Sequence, residues 1–185
     1  LIDGSITASD FAERLQAERG ARSQEAALIL QNLVDSHDTQ RVASAIRNRN
    51  TWDRYKNADW FDYDDGERVY ARTPGYDNGP PTAEGRRIWK MLALFQATYI
   101  GAPMIYYGTE VGMWSADDPE DRMPTWWNRM DTTIHDAYQS ALHLRNKHPS
   151  LRRGSFTVLE TRDDAQVFAF ERNLGDERLV IVFNR

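Results

Sequence analysis

The spacing of apolar residues predicts helices that alternate with short strands over the first two thirds of the chain. The clearest helix follows Thr82, a good helix cap, because apolar residues recur at helical spacing as far as Tyr99. The other predicted elements are a helix over residues 9–19 capped by Ser9 or Asp10, a strand over 28–34 buried on both faces, a helix from about Thr39, a long loop over 48–81 and a strand over 103–107. This order is typical of a parallel α/β sheet with helical crossovers.

The last third of the chain changes character. A helix is predicted to begin with a capping box of Thr133 and Asp136 and to stop at Pro149. Antiparallel β segments are predicted after it, with a turn at residues 173–176; they cover 155–159, 166–171 and 179–183. We therefore divide the chain into an α/β part, residues 1–151, and the beginning of an antiparallel β domain, residues 152–185. We also expect more sheet to follow, because an apolar strand would otherwise form an exposed edge.

Composition excludes several classes of protein. The 185 residues are 41% hydrophobic and 28% charged, which is typical of a globular protein. The net charge of −5 argues against a nucleic-acid partner, since there is no basic excess to neutralise phosphates. No apolar run reaches the roughly 18 residues that a membrane span needs. The absence of cysteine excludes disulfides and thiolate metal sites but does not indicate a compartment.

The dipeptide His37-Asp38 is the strongest candidate for chemistry. It follows a predicted buried strand, and α/β barrels place their reactive groups at the C-terminal ends of their strands. A carboxylate can stabilise a developing positive charge, and an imidazole can donate a hydrogen bond to a sugar hydroxyl. The alternative is structural, with Asp38 or Thr39 capping the next helix and His37 a half-buried polar residue. Taken alone, the dipeptide favours this alternative.

Three longer motifs reverse that weighting. Residues 32–42, Asn-Leu-Val-Asp-Ser-His-Asp-Thr-Gln-Arg-Val, closely resemble the seventh-strand motif of the α-amylase family, glycoside hydrolase family thirteen. Residues 101–113 resemble the eighth-strand motif of that family, and residues 117–122 resemble the acidic loop that follows it. The three motifs occur in family order, and the nearest resemblance is to neopullulanases and cyclomaltodextrinases. The resemblance implies the C-terminal portion of a TIM (β/α)8 barrel, followed by the start of an all-β sandwich domain.

The resemblance also implies roles for particular residues. Asp38 matches the catalytic carboxylate that stabilises the transition state, and His37 matches the histidine that binds the hydroxyls of the same sugar. Arg122 and Asp118 match loop positions that line this subsite. For Arg122 a surface ion pair with Asp118 or Asp121 is an equally good interpretation.

Two groups that the family needs are not identified in this chain. The nucleophile and the acid/base follow the fourth and fifth barrel strands, in an Arg-x-Asp motif and at a Glu-bearing strand end. Asp35, Glu110 and Asp118 match neither role. We therefore expect part of a retaining hydrolase or transglycosidase that acts on α-1,4-linked gluco-oligosaccharides or a starch-like glucan. Alone, this part should be inactive and should self-associate or need the missing part of the barrel. The alternative is a non-catalytic amylase-like binding or scaffold protein.

Departures from the family pattern bear on substrate preference and on metal binding. Thr109 stands where the family usually has Asp, and residues 123–127 differ from the usual Lys-Pro-Met-x-Trp. The link from Trp127 to the helix at Ile134 is also shorter than usual. No cofactor is predicted for this chain; Ca²⁺ is common in the family, but its usual ligands would lie mostly upstream.

Overall fold

The computed structural model describes residues 6–49, 70–72 and 74–185. Most of the predicted loop over residues 48–81 lies outside these ranges. The described residues form two compact units, one within residues 6–33, 90–104 and 137–185, the other within residues 34–49, 70–72, 74–89 and 105–136. The helices are α1 (Ala8–Gly20), α2 (Gln24–Ile29), α3 (Val42–Arg47), α4 (Ala83–Thr98), α5 (Thr132–Lys147) and α6 (Pro149–Arg153). The strands are β1 (Gln31–Asn32), β2 (Ala102–Pro103), β3 (Ser155–Arg162), β4 (Val167–Leu174) and β5 (Glu177–Asn184).

In the first unit, β1 and β2 form a short parallel pair, as the alternation of strands and helices predicts. The buried side chain of Gln96, on α4, links the two strands, since its amide donates to the carbonyls of Asn32 and Met104, both at 2.8 Å. The Asn32 carbonyl also accepts from the Met104 N–H at 3.0 Å, so the Gln96 amide reinforces the short ladder and satisfies the carbonyl of Met104. None of the helices in the described ranges is long and apolar enough to cross a membrane.

The antiparallel sheet β3-β4-β5 carries the main apolar core of the first unit. Phe168 and Phe170 on β4 are fully buried, and the ring of Phe170 lies 4.8 Å from that of Phe156 and 6.1 Å from that of Phe183. Residues of α1 and α4 cover this face, among them Phe95, whose ring makes an edge contact with Phe170. The predicted β segments and their antiparallel pairing are confirmed, and the turn tightens to Gly175 and Asp176 between β4 and β5.

Two buried arginines satisfy the carbonyls at the end of α4. Arg172 on β4 donates to Thr98 at 2.6 Å, and also to Gly154 at 3.1 Å and Ser155 at 3.0 Å. Arg145 on α5 donates to four other main-chain carbonyls, those of Ala97, Tyr99, Gly101 and Leu151. The last carbonyls of a helix lack partners within the helix, and cations near them also oppose the negative end of its dipole. Burial lowers the pKa of Arg172 to about 10.

Several predicted boundaries are wrong because capping side chains lie elsewhere than expected. Helix α1 begins one residue earlier than predicted, since Thr7 and Asp10 form a capping box. The strand predicted over 28–34 is only two residues long: residues 28 and 29 complete helix α2, which Ser23 caps, and β1 covers Gln31–Asn32 alone. Ile29, expected to be buried, is 77% exposed. Asp131, and not Thr133, accepts the first-turn N–H groups of α5.

Candidate functional site

The dipeptide His37-Asp38 lies in a turn of the second unit and does not cap a helix. Ser36 fixes the turn, because its Oγ accepts from the Asp38 N–H at 3.1 Å and its own N–H donates to the Thr39 hydroxyl at 3.0 Å. The next helix, α3, begins at Val42 rather than near Thr39. Its Val42 N–H is accepted by the carboxylate of Asp35 at 3.0 Å. The structural alternative in which Asp38 or Thr39 caps the helix is therefore wrong.

The four residues that the sequence selects lie together in this unit. Arg122 is at the centre: its Nε lies 2.7 Å from Asp118 Oδ1, and its Nη2 lies 3.3 Å from Asp38 Oδ1. The same Nε donates to the carbonyl oxygen of His37 at 3.0 Å. Asp38 Oδ2 in turn lies 3.0 Å from the Nε2 of His37. The ion pair with Asp118 that the sequence allows is therefore present, and Arg122 pairs with Asp38 as well.

Exposure divides the cluster into an accessible side and an anchored side. The side chain of His37 is 60% exposed and that of Asp38 is 34% exposed, so both can meet a ligand from solvent. The side chain of Asp118 is only 13% exposed and pairs with Arg122 on the less accessible side of the cluster. A carboxylate with an imidazole and a guanidinium each within hydrogen-bond reach of it can bind the hydroxyls of a polar ligand and stabilise a positive charge.

Asp35 serves the fold beneath the site. It is buried, and its Oδ2 accepts from the Thr109 hydroxyl at 2.8 Å as well as from Val42. Burial raises the pKa of this carboxyl. The hydroxyl of Thr109, where the family usually has Asp, thus meets the carboxylate of Asp35, and a second carboxylate there would add like charge in a buried place. Asp35 is not positioned as a reactive group.

Sequence reasoning missed Arg41, which is fully buried three residues after Asp38. Its guanidinium donates to main-chain carbonyls of the eighth-strand motif and of the acidic loop. The available signal was an arginine within a motif that continues directly into the apolar positions Val42 and Ile46. Such an arginine needs internal partners when it is buried.

Asp121, in a short 3-10 helix over Glu120–Arg122, is buried with an unsatisfied carboxylate. Among the described residues, neither of its carboxylate oxygens has a hydrogen-bond partner. Burial, together with the charges of Asp117 and Asp118, raises the pKa of Asp121 to about 6. Ionising this group therefore opposes folding at neutral pH.

We expect Asp121→Asn to stabilise the chain at neutral pH but not in acid. The folded pKa lies above the ordinary Asp value, so the stability that protonated Asp121 contributes is complete below about pH 4 and is lost as the pH rises through about 6. The free energy of unfolding of the variant should exceed that of the parent by about 2 kcal/mol at pH 7.5. Urea unfolding at pH 4, 6 and 7.5 measures this gain, and a gain that is equal at all three pH values would contradict the assignment.

The Arg-x-Asp tripeptide does occur twice, which corrects the expectation that it is missing, but neither copy follows a strand of the parallel pair β1-β2. In Arg129-Met130-Asp131, the aspartate caps α5 and pairs with Arg86 at 2.5 Å. Hydrogen bonds to the backbone occupy that carboxylate. In residues 162–164 the matching aspartate is Asp164, which lies exposed in the turn between the antiparallel strands β3 and β4.

The acidic loop does not fit a Ca²⁺ site. Within residues 6–49, 70–72 and 74–185, no group of three or more His, Asp or Glu side chains is arranged to hold a metal. Ca²⁺ takes six to eight oxygen ligands, whereas Asp118 is engaged by Arg122 and Asp121 is surrounded by a fold that buries it.

Comparisons with known proteins agree with the motifs. No protein-family model matches the sequence. Neopullulanase 2 of Thermoactinomyces vulgaris is 29% identical over 183 residues, which cover 98% of this chain and 25% of that protein. A cyclomaltodextrinase of a Bacillus species is 29% identical over 182 residues, covering 96% of this chain and 26% of that protein. The chain thus spans about a quarter of the length of the curated relatives it matches.

Solved structures show the same relationship in the fold. The cyclic α-maltosyl-(1→6)-maltose hydrolase of Arthrobacter globiformis superposes with a TM-score of 0.71 at 26% identity, over 99% of this chain and 33% of that one. Similarity along nearly the whole chain and a shared fold confirm the resemblance. Along nearly its whole length the chain is similar to glycosidases of the α-amylase type, and its fold is the C-terminal part of their barrel followed by the start of a β domain.

Proposed function

We propose that this chain supplies one side of the cleavage subsite of a retaining α-glucan-acting glycosidase. The observation that carries the proposal is the Arg122 guanidinium, which binds the main chain of His37 and both the Asp38 and Asp118 carboxylates. A surface ion pair alone would not bind the main chain of His37 as well as two carboxylates, one of which, Asp38, also contacts the exposed imidazole of His37. The arrangement suits a sugar ring that becomes positively charged as its glycosidic bond breaks.

Each side chain then has a definite task. The Asp38 carboxylate stabilises the oxocarbenium-like transition state, since a negative charge at a partly dry surface attracts developing positive charge. The imidazole of His37 donates a hydrogen bond to a hydroxyl of the same sugar. Arg122 orients Asp38 and binds sugar oxygens through its remaining N–H donors. Asp118, the least exposed member, holds the guanidinium in place.

The names of the relatives support the proposed substrate class. Their names describe the cleavage of pullulan, cyclomaltodextrins and a cyclic α-linked tetrasaccharide. We assign α-1,4-linked gluco-oligosaccharides or a starch-like glucan to the site, because a cluster of one carboxylate, one imidazole and one guanidinium matches the dense hydroxyls of a glucose unit. The preferred length of the glucan depends on loops in which Thr109 and residues 123–127 depart from the family pattern.

The chain alone should not cleave glucans. Double displacement needs a nucleophilic carboxylate and an acid/base about 5 Å apart, and neither Asp35 nor Asp131 is free for these roles. We expect no release of reducing sugar from starch, pullulan, cyclodextrin or maltosides by the purified chain. We also expect it to self-associate, since Ile29, Val180 and Val182 expose large apolar side chains. Sedimentation and a reducing-sugar assay test both points, and turnover by a monodisperse monomer would contradict them.

A hybrid enzyme tests the function itself. The matching quarter of Neopullulanase 2 from Thermoactinomyces vulgaris is replaced by this chain, so that the rest of the barrel comes from the relative. A folded hybrid, verified by circular dichroism and a cooperative melt, should cleave at least one of the four glucans. A folded hybrid that binds maltooligosaccharides without cleaving any of them would contradict the proposal and favour the non-catalytic, amylase-like alternative.

A further inference from the structure

The main chain on both sides of Arg122 is held by side chains from elsewhere in the same unit. Arg41 donates to the carbonyl oxygen of Asp121 from Nε at 3.0 Å and from Nη2 at 2.7 Å. The hydroxyl of Tyr107 donates to the carbonyl oxygen of Met123 at 2.9 Å. The carbonyls that directly precede and follow Arg122 in sequence are therefore both fixed.

The two attachments form one assembly. The remaining guanidinium nitrogen of Arg41, Nη1, donates to the carbonyl oxygen of Tyr107. The guanidinium carbon also lies 4.8 Å from the ring centroid of Tyr107 and 4.3 Å from that of Tyr106, which are favourable distances for a cation over an aromatic face. Arg41 is fully buried, so these contacts replace the water that its guanidinium loses.

The assembly connects three segments that meet at the site. Arg41 belongs to the segment of His37 and Asp38, Tyr107 belongs to the eighth-strand motif, and the two carbonyls belong to the acidic loop. The side chain of Arg122 is 46% exposed, and an exposed ion pair contributes little orientation by itself, because a long side chain loses rotamer freedom when it is held. Its position must therefore come largely from the backbone that carries it.

We propose that Arg41 and Tyr107 are positioning residues that hold the Arg122 guanidinium against Asp38 and Asp118. They act through the main chain and touch no substrate. The catalytic consequence rests on the proposed function, but the positioning itself is a property of the folded chain and can be measured without any turnover.

Tyr107→Phe removes the hydroxyl and keeps the ring beside Arg41. We expect Arg122 to react with phenylglyoxal about fivefold faster in this variant, the factor that corresponds to one lost hydrogen bond. Peptide mass spectrometry of the full chain gives the rate at each arginine. Arg86, paired with Asp131 in the same unit, serves as the internal reference and should keep its rate. Arg41→Lys, which keeps the charge but loses the planar fork, should raise the Arg122 rate further.

Tyr106→Phe is the matched control. The Tyr106 hydroxyl interacts with the side chain of Tyr107 but not with Met123, so the variant loses a hydroxyl while the ring contact with Arg41 and the bond from Tyr107 to Met123 remain. The proposal is overturned if Arg122 keeps its rate in Tyr107→Phe, or if Tyr106→Phe accelerates it equally. If Arg41→Lys does not fold, the two tyrosine variants still decide. The function proposed above fails separately, through an inactive hybrid whose Arg122 rates still follow this pattern.

Discussion

Asp38→Asn is expected to lower the turnover of the hybrid enzyme by about a hundredfold to a thousandfold while leaving its fold intact. The amide keeps the size of the side chain and its ability to accept from Arg122, but it removes the negative charge that the oxocarbenium-like transition state needs. KM should change less than kcat, because the charge interacts mainly with a species that forms during the reaction. Initial rates on maltooligosaccharides, with melting temperatures in parallel, measure both effects.

Asp77→Asn provides the control for this expectation. Asp77 also forms an ion pair with an arginine, at 2.7 Å to Arg47, and it lies in the same unit but outside the cluster. Its replacement should cost less than about 1 kcal/mol of stability and leave kcat nearly unchanged. If Asp38→Asn kept near-normal turnover, or if Asp77→Asn lost as much, Asp38 would have no place in the mechanism.

The largest effect on stability is expected at Arg172. Arg172→Met should lower the free energy of unfolding by about 3 kcal/mol, because it leaves the carbonyls of Thr98, Gly154 and Ser155 without their donor in a buried place. The apolar replacement recovers part of the cost of burying a guanidinium, which keeps the loss from being larger. Urea unfolding followed by circular dichroism gives the value, at matched protein concentration because association shifts apparent stability.

Two further variants sharpen this test. Arg172→Lys keeps the charge but cannot present the same fork of donors, so its loss should be intermediate. Arg162→Met, at the exposed end of β3, should change the free energy of unfolding by less than about 0.5 kcal/mol. Equal losses at positions 162 and 172 would show that the carbonyls at the end of α4 do not depend on Arg172.

Local patterns predicted the parts of the fold that local forces determine. Helix α4 has a hydroxyl cap at Thr82, which accepts the Gly85 N–H at 3.0 Å, and a long apolar face. The strands β3 to β5 alternate strictly enough to place Phe168, Phe170 and Phe183 on one face. In both cases the periodicity extends over many residues, so a single competing contact does not reverse it.

The failures occur where a distant group decides the local structure. The apolar run over residues 28–34 contains the end of helix α2 and a two-residue strand, whose length is set by pairing with residues 102–104 far along the chain. The start of α3 is set by Asp35, whose carboxylate is seven residues away from the N–H that it accepts. Such contacts follow from the tertiary arrangement, and a window of neighbouring residues does not contain them.

The candidate site divides in the same way. The sequence predicted that His37, Asp38, Asp118 and Arg122 would meet, since each belongs to a recognisable motif, and the structure brings them within 3.3 Å of one another through Arg122. Arg41 was not predicted, because its partners are main-chain carbonyls. Every residue type has the same main-chain carbonyl, so the identity of a residue does not indicate whether its carbonyl accepts a hydrogen bond from a distant side chain.

Because Arg41 and Tyr107 bind main-chain carbonyls, the side chains of the acidic loop can change during evolution. Arg41 and Tyr107 donate hydrogen bonds to main-chain oxygens, which every amino acid has. The loop from Glu120 to Trp127 can therefore accept new side chains and keep these hydrogen bonds. Mutation can then explore different sugar-facing surfaces while the guanidinium at position 122 stays in register. Substitutions in this loop can therefore change which sugars bind without moving the side chain of Arg122.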